Sequence, residues 1–195
     1  MKIDTKLIQQ LREETGAGIM AAKKALEETQ GDIEKAIDLM KKQGQKVASK
    51  KQDRVTKEGV VGAYMHSNNK IAAMVALACE SDFVANTDEF KELAHDLAMQ
   101  VVATNPKYIT PDEIPAKVIA KEKEVFQELL KAEKKPEKIW DNIITGKLEK
   151  YYSEVCFIKQ VYLKDDKVTI EQLIQKKILK LGENIQVKEF KVISL

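Results

Sequence analysis

Two histidines, two cysteines and one acid–aromatic turn are the residues of this chain from which chemistry could be built. His66 and His95 lie at none of the short spacings from Cys79 and Cys156 that gather imidazole and thiolate around one ion, so no metal site is expected. His95, between Leu93 and Leu97 at helical spacing, reads as structure rather than as a base. There is no phosphate-loop GxxxxGK motif, no GxGxxG, no GxSxG and no HExxH, and Gly16-Ala17-Gly18 is too little glycine for a phosphate cradle. No carboxylate pair stands out as acid and base. No catalytic residue and no cofactor are therefore expected, and the reading is a binding protein rather than an enzyme.

The turn is Glu80-Ser81-Asp82-Phe83-Val84-Ala85-Asn86, directly after the apolar run Ile71 to Ala78. The run predicts a strand and Asn86 predicts the cap of a following helix, with Glu89 placed to reach back to that cap. An acid followed by an aromatic between strand and cap can serve in two ways. Phe83 can tuck inward as a staple, or it can project with Asp82 into a partner. Local spacing leaves both open.

These residues need elements to hold them. Residues 1–45 predict three short helices. Asp4 caps the first, which carries Leu7, Ile8 and Leu11 and stops at Thr15-Gly16. Ile19, Ala22 and Leu26 stripe the second. Asp32 caps the third, with Ile33, Ala36, Ile37 and Met40 inward and Gly44 closing it. Helices this short are stable only when packed together, so a small bundle is expected, and with the run Gly31-Asp32-Ile33-Glu34-Lys35-Ala36-Ile37 it resembles the ubiquitin-associated type. Residues 46–58 are basic with little apolar periodicity and read as a linker, with a helical form left open. Residues 59–195 form the remaining core: a hairpin of Gly59–His66 and Lys70–Cys79 around Ser67-Asn68-Asn69, a helix from Asn86 to Ala103, helices over 116–132 and 136–152, an extended Cys156–Leu163, a helix over 168–181 and a terminal strand in 184–195. The fold class is α+β: an N-terminal three-helix bundle followed by a small antiparallel sheet packed with helices.

Composition narrows the class of partner. Hydrophobic residues make up 44% and charged residues 33% of 195, a globular balance. Thirty-three basic against 31 acidic side chains give +2, so no global field draws the chain onto nucleic acid or a membrane. Two cysteines and an N-terminus without an apolar segment point to the cytoplasm. Without further information, the N-terminal helices also suit a helical adaptor, and Lys46, Lys50, Lys51 and Arg54 suit a ribosome-associated RNA binder.

Leu11-Arg12-Glu13-Glu14-Thr15-Gly16-Ala17-Gly18-Ile19-Met20-Ala21-Ala22-Lys23-Lys24-Ala25-Leu26 resembles the N-terminal signature of the bacterial elongation factor Ts family, and Gly31-Asp32-Ile33-Glu34-Lys35-Ala36-Ile37 continues it. The linker residues Lys50-Lys51, Arg54 and Glu58-Gly59 fit it too, and Glu80 to Ala85 resembles the family's second signature. Further matches are Lys135 to Ile139, Ile144 to Leu148 and Leu181 to Ile185, so the resemblance spans essentially the whole chain. Departures are Ala21-Ala22 where many members carry Asp-Cys, Ser81 where Thr is usual, and Gln160-Val161-Tyr162 in place of Gln-Pro-Phe.

The resemblance implies a guanine nucleotide exchange factor for elongation factor Tu, binding its GDP-bound and nucleotide-free forms. It implies that Asp82 and Phe83, flanked by Ser81 and Val84, intrude beside the magnesium and phosphate region of that GTPase, with Phe83 wedged between two helices. Arg12, Ile19 and Met20 would grip the nucleotide domain, and His66 at the hairpin tip would touch the third domain. Longer members carry two core subdomains, whereas residues 59–195 supply one. A homodimer is therefore expected, with Cys156–Leu163 and Ile185–Leu195 as candidates for the shared surface.

Overall fold

The computed structural model describes residues 3–195, which divide into two compact units. One comprises residues up to Met99 together with Glu171–Leu195; the other is Gln100–Ile170.

In the first unit the three N-terminal helices form as their caps dictate. The Asp4 carboxylate accepts from the Lys6 N–H at 3.0 Å and starts α1 (Thr5–Thr15). Gly16, at φ 70°, ends it in the left-handed conformation, its N–H returning to the Arg12 carbonyl. α2 (Ile19–Glu28) follows, and Asp32 caps α3 (Ile33–Lys51) by accepting from the Lys35 N–H. Leu11, Ala22, Ala25, Leu26, Ala36 and Met40 are fully buried between them. The alanines let the helices approach closely while leucine and methionine fill the centre. Gly44 does not close α3. It is buried, a Cβ there would meet only Leu179 at an ordinary contact distance of 4.0 Å, and the helix runs on through Lys51. The first part of the basic stretch 46–58, Lys46–Lys51, thus belongs to α3.

The sheet order is β1 (Glu58–Met65), β2 (Ile71–Cys79), β5 (Gln186–Ser194), with β2 central and both pairings antiparallel. Asn69, at φ 55°, takes the turn between β1 and β2. One face of the sheet is inward: Ala73, Val75 and Leu77 are buried, and a Cβ on Gly62 would fall 2.3 Å from the Ala94 backbone of α5 (Asp88–Thr104). The other face leaves Val61, Met65, Met74 and Ile193 exposed on adjacent strands.

The helix expected from Asn86 begins later. β2 leads into a single turn, α4 (Asp82–Ala85), and Asn86 closes that turn with its N–H on the Asp82 carbonyl at 2.9 Å. Thr87 then receives the Phe90 N–H on its hydroxyl and acts as the cap of α5. Glu89 is drawn away by cations instead: Lys177 Nζ at 2.5 Å and Lys180 Nζ at 2.8 Å, both on α8 (Ile170–Leu181). Ionic partners outcompete a backbone N–H for a carboxylate.

In the second unit, α6 (Ala116–Ala132) and α7 (Trp140–Val155) form a hairpin closed on Leu130, Ile144 and Leu148, with Phe126, Trp140 and Tyr152 around them. Cys156–Leu163, expected to be extended, contains a 3-10 turn at Phe157–Lys159 and only a two-residue strand, β3 (Val161–Tyr162), pairing β4 (Asp165–Thr169). Buried Phe157 donates its N–H to the Tyr108 carbonyl, and that inward anchorage breaks the run. The helix expected from Val168 starts at Ile170, because Val168 and Thr169 belong to β4. The fold is α+β, as the patterning predicts.

Candidate partner-binding site

The turn after β2 is built outward from its caps. The Ser81 hydroxyl accepts the Val84 N–H at 3.4 Å and nucleates α4. Because the turn is helical, Val84 and Ala85 point in and are buried, while Asp82 and Phe83 point out. Phe83 is 79% exposed. A phenylalanine so displayed, on a turn whose neighbours are fixed in the core, supports the projecting alternative over the staple. Of the four residues expected at this site, Val84 underpins the turn and Ser81 is half-buried as its cap.

Two backbone N–H groups beyond the end of β2, those of Glu80 and Ser81, donate to the Glu183 carboxylate at 3.1 and 3.0 Å, and the Ser81 hydroxyl donates to the same group at 2.5 Å. In return the Glu80 carboxylate accepts the Asn184 N–H at 2.7 Å and faces Arg54 at 3.5 Å. Asn184, almost fully buried, donates its amide to the Gln52 and Arg54 carbonyls. The sequence reading missed this clamp. A glycine-ended helix followed by two polar residues, Gly182-Glu183-Asn184, was its only local sign.

The first turn of α2 displays a second surface. Gly18 is extended at φ −67° and ψ 155°, and it launches the helix so that Ile19 and Met20 are 56% and 76% exposed. Core packing on this stripe starts only at Ala22. Arg12 is also exposed, its Nε donating to the Ala17 carbonyl at 3.4 Å, so the guanidinium stands beside the same loop. His66 is exposed at the end of β1, its ring Nδ1 3.3 Å from the Tyr64 hydroxyl, and Tyr64 meets His95 edge-on.

The two cysteines are free, buried and poorly nucleophilic. Burial pushes the Cys156 thiol up to about 11, and burial with the nearby Glu183 charge raises that of Cys79. Among the described residues no group of three or more His, Cys, Asp and Glu side chains is placed to hold a metal ion, and no helix is long and apolar enough to cross a membrane.

Exposed apolar side chains on capped turns, those of α2 beside an arginine, are features of a protein-binding surface. The chain matches the family model "Elongation factor TS" over residues 2–195. It is 49% identical over 190 residues to elongation factor Ts of Syntrophus aciditrophicus, covering 97% of this chain and 94% of that protein. Identity to elongation factor Ts of Thermotoga petrophila is 50%, with the same coverage, and to that of Fervidobacterium nodosum 48%, covering 97% of this chain and 96% of that protein. The chain belongs to the elongation factor Ts family. Its role is that of the family, guanine nucleotide exchange on elongation factor Tu in translation elongation.

Proposed function

We propose that the chain releases GDP by inserting Phe83, with Asp82 beside it, next to the magnesium and phosphate region of elongation factor Tu, while Arg12, Ile19 and Met20 hold the nucleotide domain. The observation that carries this reading is the exposure of Phe83 on a turn anchored by buried Val84 and Ala85. GDP and its magnesium are held by backbone amides at a helix N-terminus, a geometry that tolerates little displacement. A wedge that fits only the displaced form lowers GDP affinity by its own differential binding energy, and by linkage the incoming nucleotide lowers affinity for the wedge. No covalent step is needed, so no side chain acts as acid, base or nucleophile. Burying a phenylalanine supplies about 1.5–3 kcal/mol at one point.

In this reading residues 1–45 grip and residues 59–195 displace, with 46–58 connecting them, and His66 reaches the third domain of the GTPase. The exchange takes place in the cytoplasm without contact to nucleic acid or membrane. The active form is a homodimer, since one copy of the core carries both the turn and the hairpin tip. The open sheet face of Val61, Met65, Met74 and Ile193 supports that reading.

Release of a fluorescent GDP analogue from elongation factor Tu tests the wedge. Phe83→Ala is expected to slow release about 10- to 100-fold, the loss of that one buried ring, while the melting temperature moves by less than about 2 °C, as for a surface substitution. A large drop in melting temperature with parallel loss of activity would return Phe83 to the core and remove the wedge.

A further inference from the structure

We infer that Glu183 is a positioning residue for nucleotide exchange: by holding the Glu80 and Ser81 N–H groups and the Ser81 hydroxyl on one carboxylate, it fixes the turn that aims Phe83. The inference rests on reading Phe83 as the wedge.

β2 ends at Cys79, so the next two N–H groups have no strand partner and would be left as orphan donors. Glu183 takes both, at 3.1 and 3.0 Å, and its other oxygen takes the Ser81 hydroxyl proton at 2.5 Å. That same hydroxyl oxygen accepts the Val84 N–H, so the carboxylate polarises the cap of the turn. The arrangement is reciprocal, because Glu80 returns its carboxylate to the Asn184 N–H at 2.7 Å. Each segment satisfies the other's backbone, and neither can rotate alone without leaving a donor unpaired.

The clamp also reaches past the turn. Asn184 holds the Gln52 and Arg54 carbonyls, just beyond the end of α3, and Lys51 Nζ donates to the Gly182 carbonyl. The segment leaving the helices that carry Arg12, Ile19 and Met20 and the turn that carries Phe83 are therefore fastened to the same three residues, Gly182 to Asn184. Glu183 touches no partner group; it acts through the height and direction of Phe83.

The test compares maximal rate and half-saturating concentration for release of fluorescent GDP from elongation factor Tu. Glu183→Ala is expected to lower the maximal rate about tenfold and move the half-saturating concentration less than about threefold, because the wedge is misplaced while the grip is kept. Glu183→Gln, which keeps a carbonyl for both backbone donors, should recover most of the rate. In a Phe83→Ala background, Glu183→Ala should cost less than about twofold more, since it acts through that ring. Should Glu183→Ala fail to unfold cooperatively, Glu183→Asp, which keeps the charge but shortens the reach, is expected to lower the maximal rate in the same way. An unchanged maximal rate in a folded Glu183 variant, or a full further loss on top of Phe83→Ala, overturns the inference while the wedge stands. A wild-type rate for Phe83→Ala overturns both.

Discussion

Single side chains decide what this protein can and cannot do. Phe83 and Val84 are neighbours in sequence with opposite fates, one displayed and one buried, because a single helical turn rotates successive residues by about 100°. The cysteines show the converse, reactive groups made inert by place. With Cys156 pushed up to about 11, roughly one thiol in a thousand is ionised at pH 8. Both thiols should therefore resist alkylation in the native protein at that pH and react fully once it is unfolded in denaturant. Mass spectrometry after timed iodoacetamide treatment checks this; rapid native labelling of Cys79 would show that the clamp around Ser81 opens.

Elements are held to one another by a few ionic contacts whose strength follows pH. Burial opposes ionisation of Glu89, but the Lys177 and Lys180 ammonium groups outweigh it and hold its carboxyl below the usual 4.5. The folded chain thus releases this proton more readily than the unfolded chain. Its stabilisation is complete above the usual value and is lost as pH falls through the lowered one. Glu89→Gln is expected to cost about 1 kcal/mol at pH 7, and the gap between variant and wild type should narrow as the pH drops below 4.5. Thermal melts across pH 3 to 7 measure it, and a gap that widens on acidification would refute the assignment. Salt should shrink the same gap, since the Lys180 side chain is about half exposed.

For the whole molecule the question is what covers the open sheet face. Val61, Met65, Met74 and Ile193 are each more than half exposed on neighbouring strands, and the small Ala63 and Ala72 between them keep the surface flat. A second copy suits such a face, because its apolar patch, flanked on β5 by the exposed Lys191–Glu189 ion pair, can stack on itself about a two-fold axis. The Ile185–Leu195 candidate contributes Ile193 here; in Cys156–Leu163 half the residues are buried and only Val161 and Leu163 are strongly exposed. Light scattering is expected to give about twice 22.1 kDa, and Met74→Glu to halve it by placing a charge in a desolvated face. A monomer at micromolar concentration with full exchange activity would leave one chain making every contact.

The chain alone determined a good deal. Asp4, Gly16 and Asp32 set helix ends by capping, and the apolar period of 58–79 set a hairpin, because these are local interactions between residues a few positions apart. The signature residues 11–26 and 80–85 indicated the family before any geometry was known. What tertiary structure alone decided depends on partners distant in sequence. Gly44 reads as a stop, yet it lies inside α3, where Leu179 packs close by. Glu89 reads as a capping acid, yet Lys177 and Lys180 take it. Phe83 could tuck inward or project until the burial of Val84 and Ala85 fixed the turn's direction. Glu183, which holds that turn from about a hundred residues away, is marked locally only by the glycine that ends α8 before it. Hydrogen bonds across that separation are set by how the sheet and α8 come together, and no period or spacing in the sequence encodes them.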